Sequence, residues 1–173
     1  MKKFKVTKIL AAVLAAMMLM LSIALVGCSD DSDDLAYIKK NGKLVIGITD
    51  YPPMDYKEAG SDEWIGFDAD MAKAFAKELG VEAEFVVIEW DNKLMELKGK
   101  SIDCVWNGMT ITDEVKNGME VSNAYCKNTQ VVVVKKDVAD KYKTIESVKD
   151  LKFAAEAGSA GEKALKDLGY SVT

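Results

Sequence analysis

Two residue types are missing altogether from the 173 residues: there is no histidine, and all 23 basic residues are lysine, so there is no arginine. The first absence removes the side chain that titrates near neutrality and serves most often as general base or transition-metal ligand. The second removes the planar fork that grips carboxylates with two parallel hydrogen bonds. Cysteine is scarce, at three, and Cys104 and Cys126 without histidine argue against a zinc site; no metal and no cofactor is expected. A cationic face is missing too. The lysines are scattered among 28 acids and the formal net charge is −5, which excludes the clustered positive surface that nucleic-acid binding needs.

What is there begins with an export signal. Lys2, Lys3, Lys5 and Lys8 precede an uncharged apolar run over residues 9–26, the pattern of a secretory signal peptide over residues 1–27. The run is close to the roughly 18 to 20 residues that span a bilayer, so a transmembrane anchor is the competing reading. Leu25-Val26-Gly27-Cys28 favours the signal, because small residues before a cysteine resemble a bacterial lipobox, whose cysteine is diacylated and becomes the new N-terminus. Cys28 is the expected lipidation site, residues 28–34 a solvated, self-repelling tether, and the location the outward-facing side of the cell membrane. Loss of residues 1–27 removes four lysines and no acid, taking the net charge from −5 to −9. Export also permits oxidation, so Cys104 and Cys126 could bridge, although Cys104 in an apolar strand is equally a small buried hydrophobe.

Strands and helices alternate over the rest, which predicts an α/β fold. Lys43-Leu44-Val45-Ile46-Gly47-Ile48-Thr49 is the first strand of a parallel sheet. Pro52-Pro53 holds the next segment extended and displays Asp50, Tyr51, Met54 and Tyr56 at the strand's carboxyl end. Asp50 and Tyr51 could pair with and stack on a cationic ligand; a rigid turn with Tyr51 packed on its prolines is the alternative. A helix opens at Gly66, with Phe67, Met71, Phe75 and Leu79 as its apolar face, Asp68 as N-cap and Gly80 as stop. Asp68 and Asp70, at i and i+2, do not share a face and make no catalytic pair. Residues 83–88 form a second strand with Glu89-Trp90-Asp91 at its carboxyl end, and residues 91–97 continue as a helix; Trp90 either borders the crevice or staples that helix. Residues 129–134 are a β-branched strand. From Lys135 a lysine- and aspartate-rich segment marks a crossing into a second lobe, with a short helix over residues 145–151, strands at 153–155 and from Tyr170, and a helix over 162–168. Gly158-Ser159-Ala160-Gly161 before that helix has the geometry of an anion site but lacks the Gly-Lys and Ser/Thr of a P-loop.

These elements are organised around Asp103-Cys104-Val105-Trp106-Asn107-Gly108-Met109-Thr110-Ile111-Thr112-Asp113-Glu114-Val115. A buried strand over residues 101–106 ends there in a glycine and a cluster of hydroxyls, and in open α/β sheets ligands sit beyond the carboxyl ends of the strands. Asn107, Gly108, Thr110 and Thr112 are the right types for that position. The alternative is a plain connection in which Thr112 or Asp113 caps the next helix.

The order of these segments, with Gly-Phe-Asp-Ala-Asp-Met at residues 66–71 and Gly-Met-Thr-Ile-Thr at 108–112, resembles the family 3 extracellular solute-binding proteins, the amino-acid receptors of ABC importers. The resemblance implies a type II periplasmic-binding-protein-like fold of two α/β lobes. Residues 35–130 would be a nearly complete lobe one and residues 131–173 a partial lobe two, as in a C-terminally truncated member. It further implies that Asp50 and Tyr51 are first-loop contacts and that Trp90 packs over the ligand side chain. Asn107, Gly108 and Thr110 would receive the ligand's ammonium and carboxylate, and Ser159 and Ala160 would form the second-lobe loop. Ala69 and Phe75 depart from the family's larger aliphatics, Val115 stands where the family has a carboxylate-clamping arginine, and Ala160 replaces a threonine.

The implied function is a lipid-anchored receptor that passes a small polar solute, an amino acid or a relative, to an ABC transporter permease, without catalysis. The loss of arginine and threonine points to a ligand that leans little on its carboxylate. A ligand-sensing domain of a membrane signalling protein is the alternative, and a dehydratase-like enzyme on the same fold a second, poorly served by a chain without arginine or histidine.

Overall fold

The computed structural model describes residues 33–173; the signal segment 1–27, Cys28 and tether residues 29–32 lie outside the described residues. The sheet belongs to the compact unit Ile38–Thr173. Among the described residues no helix is long and apolar enough to cross a membrane.

A parallel sheet carries the fold, in the order β2-β1-β3. Central β1 (Lys43–Ile48) pairs along its whole length with β2 (Glu82–Val87), from Lys43 opposite Glu82 to Ile48 opposite Val87. On its other side it pairs with β3 (Cys104–Val105) through Ile46 and Gly47. A strand covered on both faces reads as a nearly continuous apolar run, and β1 does. Its Leu44, Ile46 and Ile48 are buried against Ala72 and Ala76 of helix α2 (Phe67–Leu79). Successive residues alternate faces, so Gly47 points the other way. A Cβ there would lie 2.6 Å from Ile102 Cδ1, and the bare glycine is what lets Ile102 and Ile88 rest on the strand.

Several expectations are corrected. The face that α2 buries is the stripe Ala69, Ala72 and Ala76, while Phe67 and Phe75 are half exposed. Small side chains bring the helix close to the sheet, and the two phenylalanines flank that contact, Phe75 against Trp106 with ring centroids 5.6 Å apart. Asp68 is not the N-cap. Gly66 holds that position with no side-chain cap, and Asp68 is buried within the helix. Gly80, in the left-handed conformation, does end it. The diproline segment is a tight turn rather than an extended stretch, because Tyr51 N–H donates to Asp55 O at 2.6 Å and Asp55 N–H returns to Tyr51 O at 3.0 Å; the Pro52-Pro53 bond is cis.

Residues 101–106 do run beside β1, yet only two form a ladder. The Asp103 carboxylate takes the Val45 N–H at 2.8 Å, so a side chain replaces the backbone acceptor there. Residues 91–97 divide into a 3-10 turn, Trp90–Asn92, and α3 (Lys93–Lys98). The valine-rich residues 129–134 form no strand: among the described residues they have no ladder partner, and Val131 and Val133 are exposed. An unforeseen helix, α1 (Asp34–Asn41), takes Asp34 out of the tether; its acid at the start and Lys39 and Lys40 at the end suit the helix dipole. Beyond α4 (Asp113–Gly118) come two 3-10 turns, Lys136–Lys141 and Glu146–Val148, and α5 (Ala160–Asp167). The strands expected at 153–155 and from Tyr170 reduce to one parallel bridge, Phe153 with Val172. Cys104, half buried, and Cys126, exposed, are both free.

Candidate functional site

Beyond the carboxyl ends of β1 and β3 the chain turns polar, and side chains knit the loops together. Asn107 Nδ2 donates to Thr49 Oγ1 at 2.6 Å, joining the two strand ends. Gly108 lies against the Tyr51 ring: a Cβ on residue 108 would be 2.6 Å from Tyr51 Cε1. Asn128 Nδ2 donates to Gly108 O at 3.1 Å and to Thr110 Oγ1 at 2.8 Å, and Gln130 Nε2 reaches the same hydroxyl at 3.1 Å. Thr112 is the N-cap of α4, its hydroxyl accepting the Val115 N–H at 3.2 Å. Val115 is buried in the interior. Lys116 is exposed.

A second group forms where β2 ends. Lys93 is only 5% exposed, and its ammonium sits 4.9 Å from the centroid of the half-buried Trp90 ring. It donates to Trp90 O at 3.1 Å and, across 65 residues of sequence, to Gly158 O at 3.0 Å. Gly158 has φ +68°, and a Cβ there would overlap Asp91, so glycine is required twice over. Its N–H donates to Glu162 Oε2 at 3.0 Å, while Ser159 Oγ accepts the Glu162 N–H at 3.1 Å. This reciprocal arrangement is close to a capping box. The anion-site geometry expected of Gly158-Ser159-Ala160-Gly161 is thereby corrected, since the chain's own Glu162 carboxylate takes part of it. Hydrogen bonds from Lys166 and then from the Gly158 N–H hold that carboxyl below its usual range.

Beside the first group lie two buried acids, Asp55 and Asp68. Neither oxygen of Asp55 has a partner, and Asp68 has one, the Tyr125 hydroxyl donating to Oδ1 at 2.9 Å. Burial, and then the neighbouring Asp68 charge, push the Asp55 carboxyl up to about 7. Burial also raises Asp68, opposed by the Tyr125 hydrogen bond. The same hydroxyl lies 3.4 Å from Asn107 O, linking the acids to the loop above. Backbone bonds from Phe67 N–H to Pro53 O (3.2 Å) and Asp68 N–H to Met54 O (3.0 Å) seat the Tyr51 turn on the start of α2.

The structure thus brings Tyr51 against Gly108, next to Asn107, and ties Thr110 to Gly108 through Asn128. Gln130 lies between Thr110 and Gly161, where a Cβ would be 3.1 Å from Gln130 Oε1, and so reaches the Ser159 turn. Trp90 meets that turn through Lys93. Asp50 is exposed at the end of β1, and no described hydrogen bond or ion pair joins it to the others. Sequence reasoning missed Lys93, Asn128, Gln130 and Tyr125. A lysine three residues after Trp90, one turn along, was the available signal for Lys93; for the rest, contacts 18 to 57 residues apart gave none. Among the described residues no three histidine, cysteine, aspartate or glutamate side chains gather as a metal site.

Comparison with known proteins supplies the context. The model of the bacterial extracellular solute-binding proteins, family 3, matches residues 44–167. The arginine-binding extracellular protein ArtP of Bacillus subtilis is 36% identical over 86% of this chain and 56% of its own length. The L-cystine-binding protein TcyJ of Escherichia coli is 34% identical over 79% of this chain and 51% of its own. Among solved structures, the ancestral amino acid-binding protein AncCDT-1, described as a precursor of cyclohexadienyl dehydratase, superposes with a TM-score of 0.75 at 40% identity, covering 80% of this chain and 63% of that one. The chain spans about half the length of the curated relatives it matches. Its architecture is a part of the type II periplasmic-binding-protein fold.

Proposed function

The chain belongs to the bacterial extracellular solute-binding proteins of family 3, and from that premise we propose that it is a receptor that captures an amino acid or a close relative outside the cell and delivers it to an ABC transporter permease. The observation that carries this reading is the cluster at the carboxyl end of the parallel sheet, where the Asn107–Thr49 bond, the Tyr51–Gly108 contact and the Asn128 bridge from Gly108 to Thr110 gather these residues. Small polar groups and backbone, with an aromatic beside them, suit binding of a small zwitterion in a crevice. Residues 35–130 act as lobe one and residues 131–173 as the start of lobe two, with Trp90, Ser159 and Asp50 at the mouth between them. Binding and release are the whole of its task; no bond in the solute is broken.

Cys28, at the end of the apolar run, is the lipid attachment point that keeps the receptor beside its permease. Uptake of radiolabelled amino acids by cells with the gene deleted tests both parts. Loss of uptake of one amino acid, restored by the wild-type gene and only weakly by Cys28→Ala with the protein released to the medium, is the expected result. Unchanged uptake of all amino acids, or Cys28→Ala protein still partitioning with membranes, contradicts the respective part.

A further inference from the structure

Lys93 is a buried cation without an anion. Among the described residues no carboxylate lies within ion-pair distance of its ammonium, whose partners are two carbonyls, Trp90 O and Gly158 O, and the face of the Trp90 ring. An ammonium has three N–H donors, and the two carbonyls take two of them. A charge withdrawn from water is stabilised fully only when an opposite charge completes its surroundings, and this one lies where the end of β2 meets the Ser159 turn. Among the described residues no other cation at this turn is free to take an anion: Lys166 is paired with Glu162, Lys116 is exposed, and Val115 is apolar and buried.

We propose that Lys93 is the charge-selecting residue of the cleft, its third N–H donating to the carboxylate of the solute and its ammonium excluding a second cation from that face of Trp90. This rests on the amino-acid receptor reading and deepens it. It also reverses the expectation that the ligand leans little on its carboxylate, because the anchor that a chain without arginine lacks at residue 115 is supplied from the end of another strand. A charged hydrogen bond is the stronger kind, and its removal corresponds to a loss on the order of ten- to a hundred-fold in affinity.

The test is calorimetry of the full-length gene product with L-arginine, L-cystine and the other common amino acids, and with agmatine and the amide of whichever binds. Lys93→Gln keeps a donor for the Gly158 carbonyl and removes the charge; Lys93→Arg keeps the charge. The expected result is that wild type and Lys93→Arg prefer the amino acid over its amide or decarboxylated amine by tenfold or more. In Lys93→Gln that preference collapses to about twofold or less through weaker binding of the acid alone. Should Lys93→Gln not fold, Lys93→Met is read in the same way. A preference that survives in the neutral variant overturns the inference and leaves the receptor reading standing, and so does an equal loss for acid and amine, which marks Lys93 as a mere strut. Wild type that binds no amino acid overturns both.

Discussion

At the scale of single residues, the buried acids make the clearest demands. Asp55 is protonated in the folded chain up to about pH 7, whereas unfolded it ionises near 3.8. The folded chain therefore holds more protons between those values, and the stability tied to this carboxyl is complete below about pH 4 and lost as pH rises through 7. A shift of this size corresponds to a few kcal/mol at most. Urea denaturation should give a lower midpoint at pH 8 than at pH 5, and Asp55→Asn should flatten that fall; parallel pH profiles for the two proteins would contradict it. Tyr125→Phe leaves Asp68 with no hydrogen-bond donor, and should cost roughly 1–3 kcal/mol in the same assay. Some of this scale was legible in the sequence. Asn107, Gly108 and Thr110 could be named because they follow an apolar strand, but the Tyr125 bond to Asp68 and the Lys93 bond to Gly158 O span 57 and 65 residues, which local pattern does not encode; only the Trp90–Lys93 spacing was visible. Asp68 was misread for the same reason: an acid at a helix start looks like a cap until its depth is known.

At the scale of elements, the existence of β1 and β2 and the extent of α2 followed from apolar runs bounded by glycine. The face of α2 did not, because phenylalanine and leucine every four residues outweighed the alanine stripe that in fact touches the sheet. Residues 129–134 show the opposite failure. β-branched composition favours a strand only where a neighbour supplies hydrogen bonds, and none does so among the described residues. The junction between the Tyr51 turn and α2 is the most exacting joint. Gly66 has φ +119° and ψ 174°, a region reserved for glycine, and a Cβ there would overlap Met54 O. Gly66→Ala should destabilise by roughly 1–3 kcal/mol from backbone strain alone, with the overlap adding to it, and thermal melting would show this directly; a melting temperature within a degree or two of wild type would mean that the turn is free to shift. Ser159→Ala removes the cap of α5 and should cost about 1 kcal/mol, with little change elsewhere.

At the scale of the molecule, the two polar groups are parts of one crevice only if the Ser159 turn closes over the end of the sheet, where the Lys93 bond to Gly158 O holds it and Gln130 lies close to Gly161. The family was legible in the order of its motifs, whereas the buried lysine at the Ser159 turn was not, since local pattern assigns Lys93 to a helix. The exposed Val131 and Val133 give this chain an apolar strip beside that crevice, of the kind that promotes association. Replacing both with threonine should raise solubility without lowering the melting temperature, and a lowered melting temperature would mean that the strip is packed in solution. The claim on which all of this depends is that the crevice holds an amino acid. Titration calorimetry of the wild-type full-length protein against the twenty common L-amino acids tests it most directly. One or a few of them should bind one to one with a dissociation constant of about 1 μM or tighter, some 8 kcal/mol; heats indistinguishable from dilution for all twenty, at protein concentrations that would reveal a constant of about 1 mM, would contradict it.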